Sequence, residues 1–335
     1  MYNLALMSPR QVGIIKTSWS NKGDTMRRPF DTKTTVSLIV TLVFWSSAYT
    51  GIRVGLQTFN PFHLALYRFL VASLALAVYA LITRMRLPDL RDIPLIMLSG
   101  CIGIAVYHAA LNYGEIVVTA GAASFLISLS PILTTLLAAV FLGERLQSNA
   151  WVGMVISFLG TTLIAFGENR GLHFSSGALF VLLATLSISI FFIIQKPLLA
   201  KYKPFDLATY SIWAGTLCLL VFLPGFFQAL GKAPLQANLT VIYLGIFPAA
   251  LAYATWAFFL SKMPASRAAS FLYINPLLST VIAFIWIGEI PSVLSLAGGI
   301  IVLAGLVLVS RGGIEQKSHT PKPGARPIRL ISGGR

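Results

Sequence analysis

Residues 122–144 read AASFLISLSPILTTLLAAVFLGE, and residues 268–289 read AASFLYINPLLSTVIAFIWIGE. Each is an apolar run that, as a helix rising 1.5 Å per residue, spans a bilayer's hydrocarbon core of about 30 Å. The second run is a copy of the first. Ala122-Ala123-Ser124-Phe125-Leu126 recurs as Ala268-Ala269-Ser270-Phe271-Leu272, and past a one-residue gap Pro131 pairs with Pro276, Thr135 with Thr280, and Gly143-Glu144 with Gly288-Glu289. Further on, Gly153 pairs with Gly298 and Gly160 with Gly305. Upstream, Tyr107 pairs with Tyr253, and Pro61-Phe62, Leu64-Ala65 and Tyr67 pair with Pro204-Phe205, Leu207-Ala208 and Tyr210. Single matches between apolar segments mean little, but a collinear set of Pro, Gly, Glu and Tyr matches marks an internal repeat.

Around these two runs lie eight more of similar length. The set is 35–56, 61–83, 93–114, 118–142, 149–167, 175–198, 206–229, 236–260, 264–288 and 293–311, separated by short joints such as Asn60-Pro61, Lys203-Pro204 and Met263-Pro264. None alternates as a porin strand would. The expected fold is therefore an all-α integral membrane protein of ten transmembrane helices in two five-helix repeats, 35–167 and 175–311, joined by an external linker at 168–174. Five is odd, so the second repeat enters the membrane from the opposite side, and the repeats are inverted. Basic tails at 1–34 and 312–335 complete the chain. Met26-Arg27-Arg28-Pro29 reads like an internal start, which would make 1–25 an upstream extension.

Composition excludes the soluble alternatives. Of 335 residues 56% are hydrophobic and 10% charged, with a mean hydropathy of +0.81, whereas soluble domains carry about 25% charged residues. The net charge of +15 would suit a nucleic-acid binder if it were clustered on one face. Instead it marks the topology. Only Arg53, Arg170 and Lys232 fall on one side, and Arg68 lies inside the second run; the other Lys and Arg residues fall on the side of the amino terminus. The positive-inside rule then places both termini in the cytoplasm and the chain in the cytoplasmic, or inner, membrane. Cys101 and Cys218 lie inside apolar runs, with no CxxC or metal-ligand spacing. No cofactor and no nucleic-acid partner is expected; the partners are the lipid bilayer and a small-molecule substrate. Either a monomer or a homodimer is compatible with the sequence.

Inverted repeats are typical of secondary transporters, because two halves that exchange conformations turn an outward opening into an inward one. The candidate substrate pathway is the polar and aromatic set within the helices: Trp45 and Tyr49, Tyr107 and His108, Ser128 and Ser130, Gln195, Tyr253 and Trp256, and Tyr273 and Asn275. Arg68, about 10 Å into the second helix, either grips a substrate carboxylate as a fork or satisfies itself by snorkelling and backbone carbonyls. His108 either shuttles a proton or is a hydrogen-bonded core residue. Pro131 and Pro276 free carbonyls one turn earlier for polar partners. Glu144 and Glu289, at helix carboxyl ends, are expected to pair with basic or hydroxyl neighbours. Gly153, Gly160, Gly298 and Gly305, seven apart, are expected to let helices approach closely. No Asp or Glu is expected at a helix centre, which favours uncoupled transport or coupling through His108 or the substrate.

The residues Trp45, Pro61…Arg68, Ser130-Pro131…Gly143-Glu144…Gly153…Gly160 and Asn275-Pro276…Gly288-Glu289…Gly298…Gly305 resemble the EamA-type branch of the drug/metabolite transporter superfamily over roughly 35–311. The resemblance implies export, or less often uptake, of amino acids or similar metabolites through a central cavity. Where the first unit has Arg68 the second has Ser211, so charge symmetry is broken there. An intramembrane enzyme would need a nucleophile–base pair, a metal set or paired aspartates, and no HExxH, GxGD or GxSxG pattern occurs. A passive channel or facilitator, or a drug-efflux carrier, is the alternative.

Overall fold

The computed structural model describes residues 31–117, 120–144, 147–167, 176–287 and 292–311, and among these every regular element is helical. In chain order they are α1 (Thr32–Leu56), α2 (Pro61–Thr83), α3 (Ile93–Gly100, a π-helical stretch Cys101–Val106, then Tyr107–Val117) and α4 (Ala120–Ile127, then Ser130–Phe141). α5 (Ser148–Gly167), α6 (Ser176–Leu198), α7 (Pro204–Leu219, ending in a 3-10 turn Leu220–Phe222) and the short α8 (Phe226–Lys232) follow. The last are α9 (Leu235–Leu244, a π-helical stretch Gly245–Leu251, then Ala252–Lys262), α10 (Ala265–Ser270, a 3-10 turn Phe271–Tyr273, then Ile274–Ile287) and α11 (Val293–Arg311). Seven of the helical runs are long and apolar enough to cross a membrane. Large apolar side chains such as Leu74, Leu81, Val140, Ile285 and Ile300 stand exposed on the outside, as lipid contact requires.

Local chemistry sets the helix boundaries. Asp31 caps α1 by accepting from Thr34 N–H at 3.0 Å. Asn60 caps α2 by accepting from Phe62 and His63 N–H, with Pro61 in the first turn, where its missing N–H costs nothing. The sequence suggests unbroken helices over 118–142 and 264–288, and the structure interrupts both. A turn at Ser128–Leu129 splits α4, and the 3-10 turn Phe271–Tyr273 tightens α10. Pro131 and Pro276 are the cause: a proline ring collides with the carbonyl four residues back, here that of Ile127 and of Leu272. Two carbonyls flanking the α4 break accept hydroxyls of α6, Thr185 donating to Leu126 O at 3.2 Å and Ser189 to Ser130 O at 3.3 Å. The expected run 206–229 also divides, because Pro224 and Gly225 (φ 76°) turn the chain out of α7 into α8.

Glycines bring helices into backbone contact. A Cβ added at Gly153 would stand 2.6 Å from Gly305 O, and one at Gly160 would stand 2.7 Å from Gly298 O. Additions at Gly298 and Gly305 meet Gly160 O and Gly153 O at 2.6 Å each. The contacts run in reverse order along the two chains, so α5 and α11 cross antiparallel. Elsewhere Ser99 and Ser211 hydroxyls meet at 3.2 Å where Gly100 lets α3 lie against α7. Gly288 and Glu289 lie outside the described residues, as do most of the tails and the 168–174 linker.

Candidate functional site

A cavity of about 40 Å³ lies between α1, α2, α3, α4, α6, α9 and α10, with room for about three waters at 10–15 Å³ each. α1 contributes Trp45, Ala48, Tyr49 and Ile52, spaced to share one face. α2 contributes Arg68, and α3 contributes Tyr107, His108 and Leu111. The α4 break presents Ser124, Ile127, Ser128 and Ser130; α6 adds Ile188 and Phe192; α9 adds Tyr253; α10 adds Leu272, Asn275 and Pro276. Both π-helical stretches end next to a cavity tyrosine, Cys101–Val106 before Tyr107 and Gly245–Leu251 before Tyr253. π-Helical turns of this kind concentrate at functional sites.

One polar chain crosses this space. Arg68 is 2% exposed. Its Nε–H donates to Leu244 O at 3.2 Å, and its Nη1 stands 3.4 Å from His108 Nδ1. A guanidinium has no acceptor, so Nδ1 accepts and the His108 proton sits on Nε2. Nε2–H then donates to the Tyr253 hydroxyl at 2.9 Å. The Tyr253 O–H is left as a donor facing the cavity. Among the described residues no carboxylate forms an ion pair with Arg68. Two donors, one of them cationic, thus converge on an enclosed space, which is the chemistry that holds a carboxylate.

The walls are aromatic. Trp45 donates from Nε1 to Pro248 O at 3.2 Å, meets Tyr253 edge-on at 5.3 Å and stacks on Phe192 at 6.4 Å. Asn275 accepts from the Ser46 hydroxyl at 3.2 Å on its Oδ1. The Ser124 and Ser130 hydroxyls are buried without a partner among the described residues, so they remain free for water or a guest.

Of the residues expected along the pathway, Trp45, Tyr49, Arg68, Tyr107, His108, Ser128, Ser130, Tyr253 and Asn275 come together here. Three do not. Trp256 lies behind Trp45 and Phe192, at ring distances of 5.3 and 4.7 Å. Gln195 is fully buried on α6, both amide atoms unpartnered among the described residues. Tyr273 packs with Met154, Val302 and Leu306, against α5 and α11. The apolar lining residues Ile52, Leu111, Ile188 and Leu272 carry no sequence signal, since leucines and isoleucines also cover the lipid face. The third span runs through Ile93–Ile116 and so takes in, at its end rather than its centre, Glu115, 8% exposed, with both carboxyl oxygens unpartnered among the described residues. Among the described residues no group of His, Cys, Asp or Glu is placed to hold a metal.

Comparison with known proteins agrees with this architecture. The EamA-like transporter family matches twice, over residues 33–166 and 175–311. The chain belongs to that family. It is 43% identical over 278 residues to an uncharacterized transporter of Bacillus subtilis, YdfC, covering 82% of this chain and 91% of the relative. It is 37% identical to a probable terminal-alkyne amino-acid exporter of Streptantibioticus cattleyicolor, covering 87% and 97%. A probable amino-acid metabolite efflux pump of Salmonella typhimurium is 24% identical, covering 81% and 92%. A crystal structure 18% identical in sequence superposes with a TM-score of 0.68 over 83% of this chain and 96% of the other, a likeness of fold. The EamA-like chain is thus a membrane transporter by family, and relatives in that family are named as inner-membrane proteins.

Proposed function

We propose that this protein is a secondary carrier of ten transmembrane helices in two inverted repeats, both termini cytoplasmic, that exports an amino acid or a related compound by alternating access. The observation that carries the reading is the enclosed cavity with the Arg68 guanidinium and the Tyr253 hydroxyl as converging donors. They bind the substrate carboxylate, while Trp45, Tyr49, Tyr107 and Phe192 enclose its side chain and Asn275 and the α4 serines orient its amino group. The twofold family match and the antiparallel α5–α11 crossing support inversion. Two relatives named as amino-acid exporter and amino-acid metabolite efflux pump support the substrate class and direction. At its present volume the cavity has room for a few waters, so it must widen to admit the substrate.

The test is flux in proteoliposomes holding the intact protein, with a mixture of radiolabelled neutral L-amino acids as probe. A carrier gives saturable flux accelerated by unlabelled substrate on the far side; unsaturable flux indifferent to the far side would mean a passive channel. Arg68→Gln removes charge-assisted hydrogen bonds of about 1.5–3 kcal/mol, so the half-saturating concentration should rise about 10- to 100-fold. Tyr107→Phe, Tyr253→Phe and Asn275→Ala should each impair transport at undiminished abundance; normal transport by all three overturns the cavity assignment.

A further inference from the structure

Resting on the carrier reading, we infer that Glu115 is the proton-binding residue that couples transport to a proton gradient, placed one helical turn outside the cavity. On α3 the cavity stripe is Tyr107, His108 and Leu111. Glu115 follows Leu111 by four residues and His108 by seven, so it continues the same face about 6 Å further along the helix. The matching step on α1 takes Tyr49, which lines the cavity, to Arg53, which is exposed. Glu115 and Arg53 therefore lie at the same mouth of the site, one buried and one wet.

The burial of Glu115 needs an account. A carboxylate taken out of water without a donor is among the most costly groups a membrane protein can hold, whereas the protonated acid is tolerated. Here neither oxygen has a donor among the described residues. The charged and titratable groups facing it are few. Those within electrostatic reach are Tyr49 and Arg53 on α1, Arg68 on α2, and Tyr107 on its own helix. His63 and Tyr67 of α2 are turned to Pro224 and Phe226. Tyr113 stacks on Phe62 and meets Phe180 at a tilt, and His108 is held by Arg68 and Tyr253. The described part of α4 facing it has no titratable side chain; α6 has only Lys196, at its far end, and Cys101 lies fourteen residues earlier on α3, about 21 Å along the helix. In the occluded state Glu115 holds a proton as the neutral acid. When the mouth opens, water and Arg53 reach the carboxyl, the O–H bond breaks, the proton leaves to solvent, and the carboxylate remains beside the cation. The Glu115 carboxylate stays beside Arg53 until the cavity opens to the other side, takes a proton from that side by way of the cavity and is buried again as the acid, so one proton crosses the membrane in each cycle.

Two measurements on the reconstituted, intact protein test this. Infrared difference spectra between acid and alkaline buffer should contain a protonated-carboxyl C=O band that disappears in Glu115→Gln and shifts in Glu115→Asp. A band unchanged by Glu115→Gln overturns the proposal, whether or not a transported probe is found. The same labelled amino-acid mixture, driven by a one-unit pH gradient, should accumulate up to about tenfold for one proton per substrate. Glu115→Gln should lose the accumulation and the pH dependence of its counterflow, and Glu115→Asp should keep both. Undiminished accumulation by Glu115→Gln overturns the coupling role. Absence of counterflow in the native protein would fail the carrier reading instead, leaving the infrared result to judge Glu115.

Discussion

At Glu144 a carboxylate sits just past the carboxyl end of α4, where its own helix dipole disfavours it. Its oxygens turn away to another helix. They accept from Ala265 N–H at 2.8 Å, Ser266 N–H at 3.0 Å and the Ser266 hydroxyl at 2.6 Å, satisfying the orphan donors at the start of α10. Across the Pro264 joint, Lys196 donates to Leu260 O and Met263 O and so neutralises the carboxyl end of α9. Two charges within an apolar protein thus finish two consecutive helices. Glu144→Ala should cost about 1–2 kcal/mol, seen as a lower Tm in detergent, with Glu144→Gln in between because one acceptor oxygen remains; an unchanged Tm for the alanine variant would refute the cap. Residues of this kind mark how far the site is legible in sequence. Tyr107, His108 and Tyr253 stand out because polar groups are rare in apolar runs. Trp256 and Tyr273 stand out for the same reason yet lie behind the lining, since hydropathy does not say which face of a buried helix meets the cavity.

Among the elements, the pairs that repeat in sequence also repeat in irregularity. α4 and α10 both break before a proline, and α3 and α9 both widen into a π-helical stretch. The prolines are visible in the sequence, but the apolar run continues through them, so the breaks are not. The π-helical stretches have no residue signature: CIGIAV and GIFPAAL share little but small size, and tertiary packing decides them. The glycine crossing is legible, because four glycines spaced by seven announce a face that admits another backbone. Gly160→Val would drive methyl groups into the Gly298 backbone and the Val302 side chain. It should destabilise by about 1–3 kcal/mol, read as a lower Tm, while the substrate affinity of the folded fraction stays unchanged, since α5 does not line the cavity. A coupled loss of affinity would mean that the crossing shapes the site.

Over the whole molecule, polar contacts join the two halves both within the spans and outside them, and one group of them gathers at the α2–α3 joint. Lys201 lies 2.5 Å from carboxyl oxygens of both Asp89 and Asp92, Tyr202 donates its hydroxyl to Asp92, and Tyr210 donates to Arg86 O. Partial burial disfavours the Asp92 carboxylate, but the bonds from Lys201 and Tyr202 prevail and hold its pKa below the usual range. Bonds to Asp89 and Asp92 raise that of Lys201. The Asp92 contribution is complete above the ordinary carboxylate value of about 3.9 and is lost as pH falls through its lowered folded value. That of Lys201 is complete below about 10.4 and is lost as pH rises through its raised folded value. Hydrogen exchange at residues 85–92 should accordingly be slowest between about pH 4 and 10 after correction for intrinsic rates, and Lys201→Ala should flatten that profile; a profile unchanged by the substitution would rule the tie out. The α5–α11 crossing has a different consequence. Gly153 meets Gly305, the counterpart of Gly160, and Gly160 meets Gly298, the counterpart of Gly153. The joint is isologous: each half offers a surface that fits its own copy. The covalent connection between the halves therefore fixes stoichiometry and not fit. Two fragments cut within 168–175 and made together should reassemble into a transporting complex, read as flux that neither fragment supports alone.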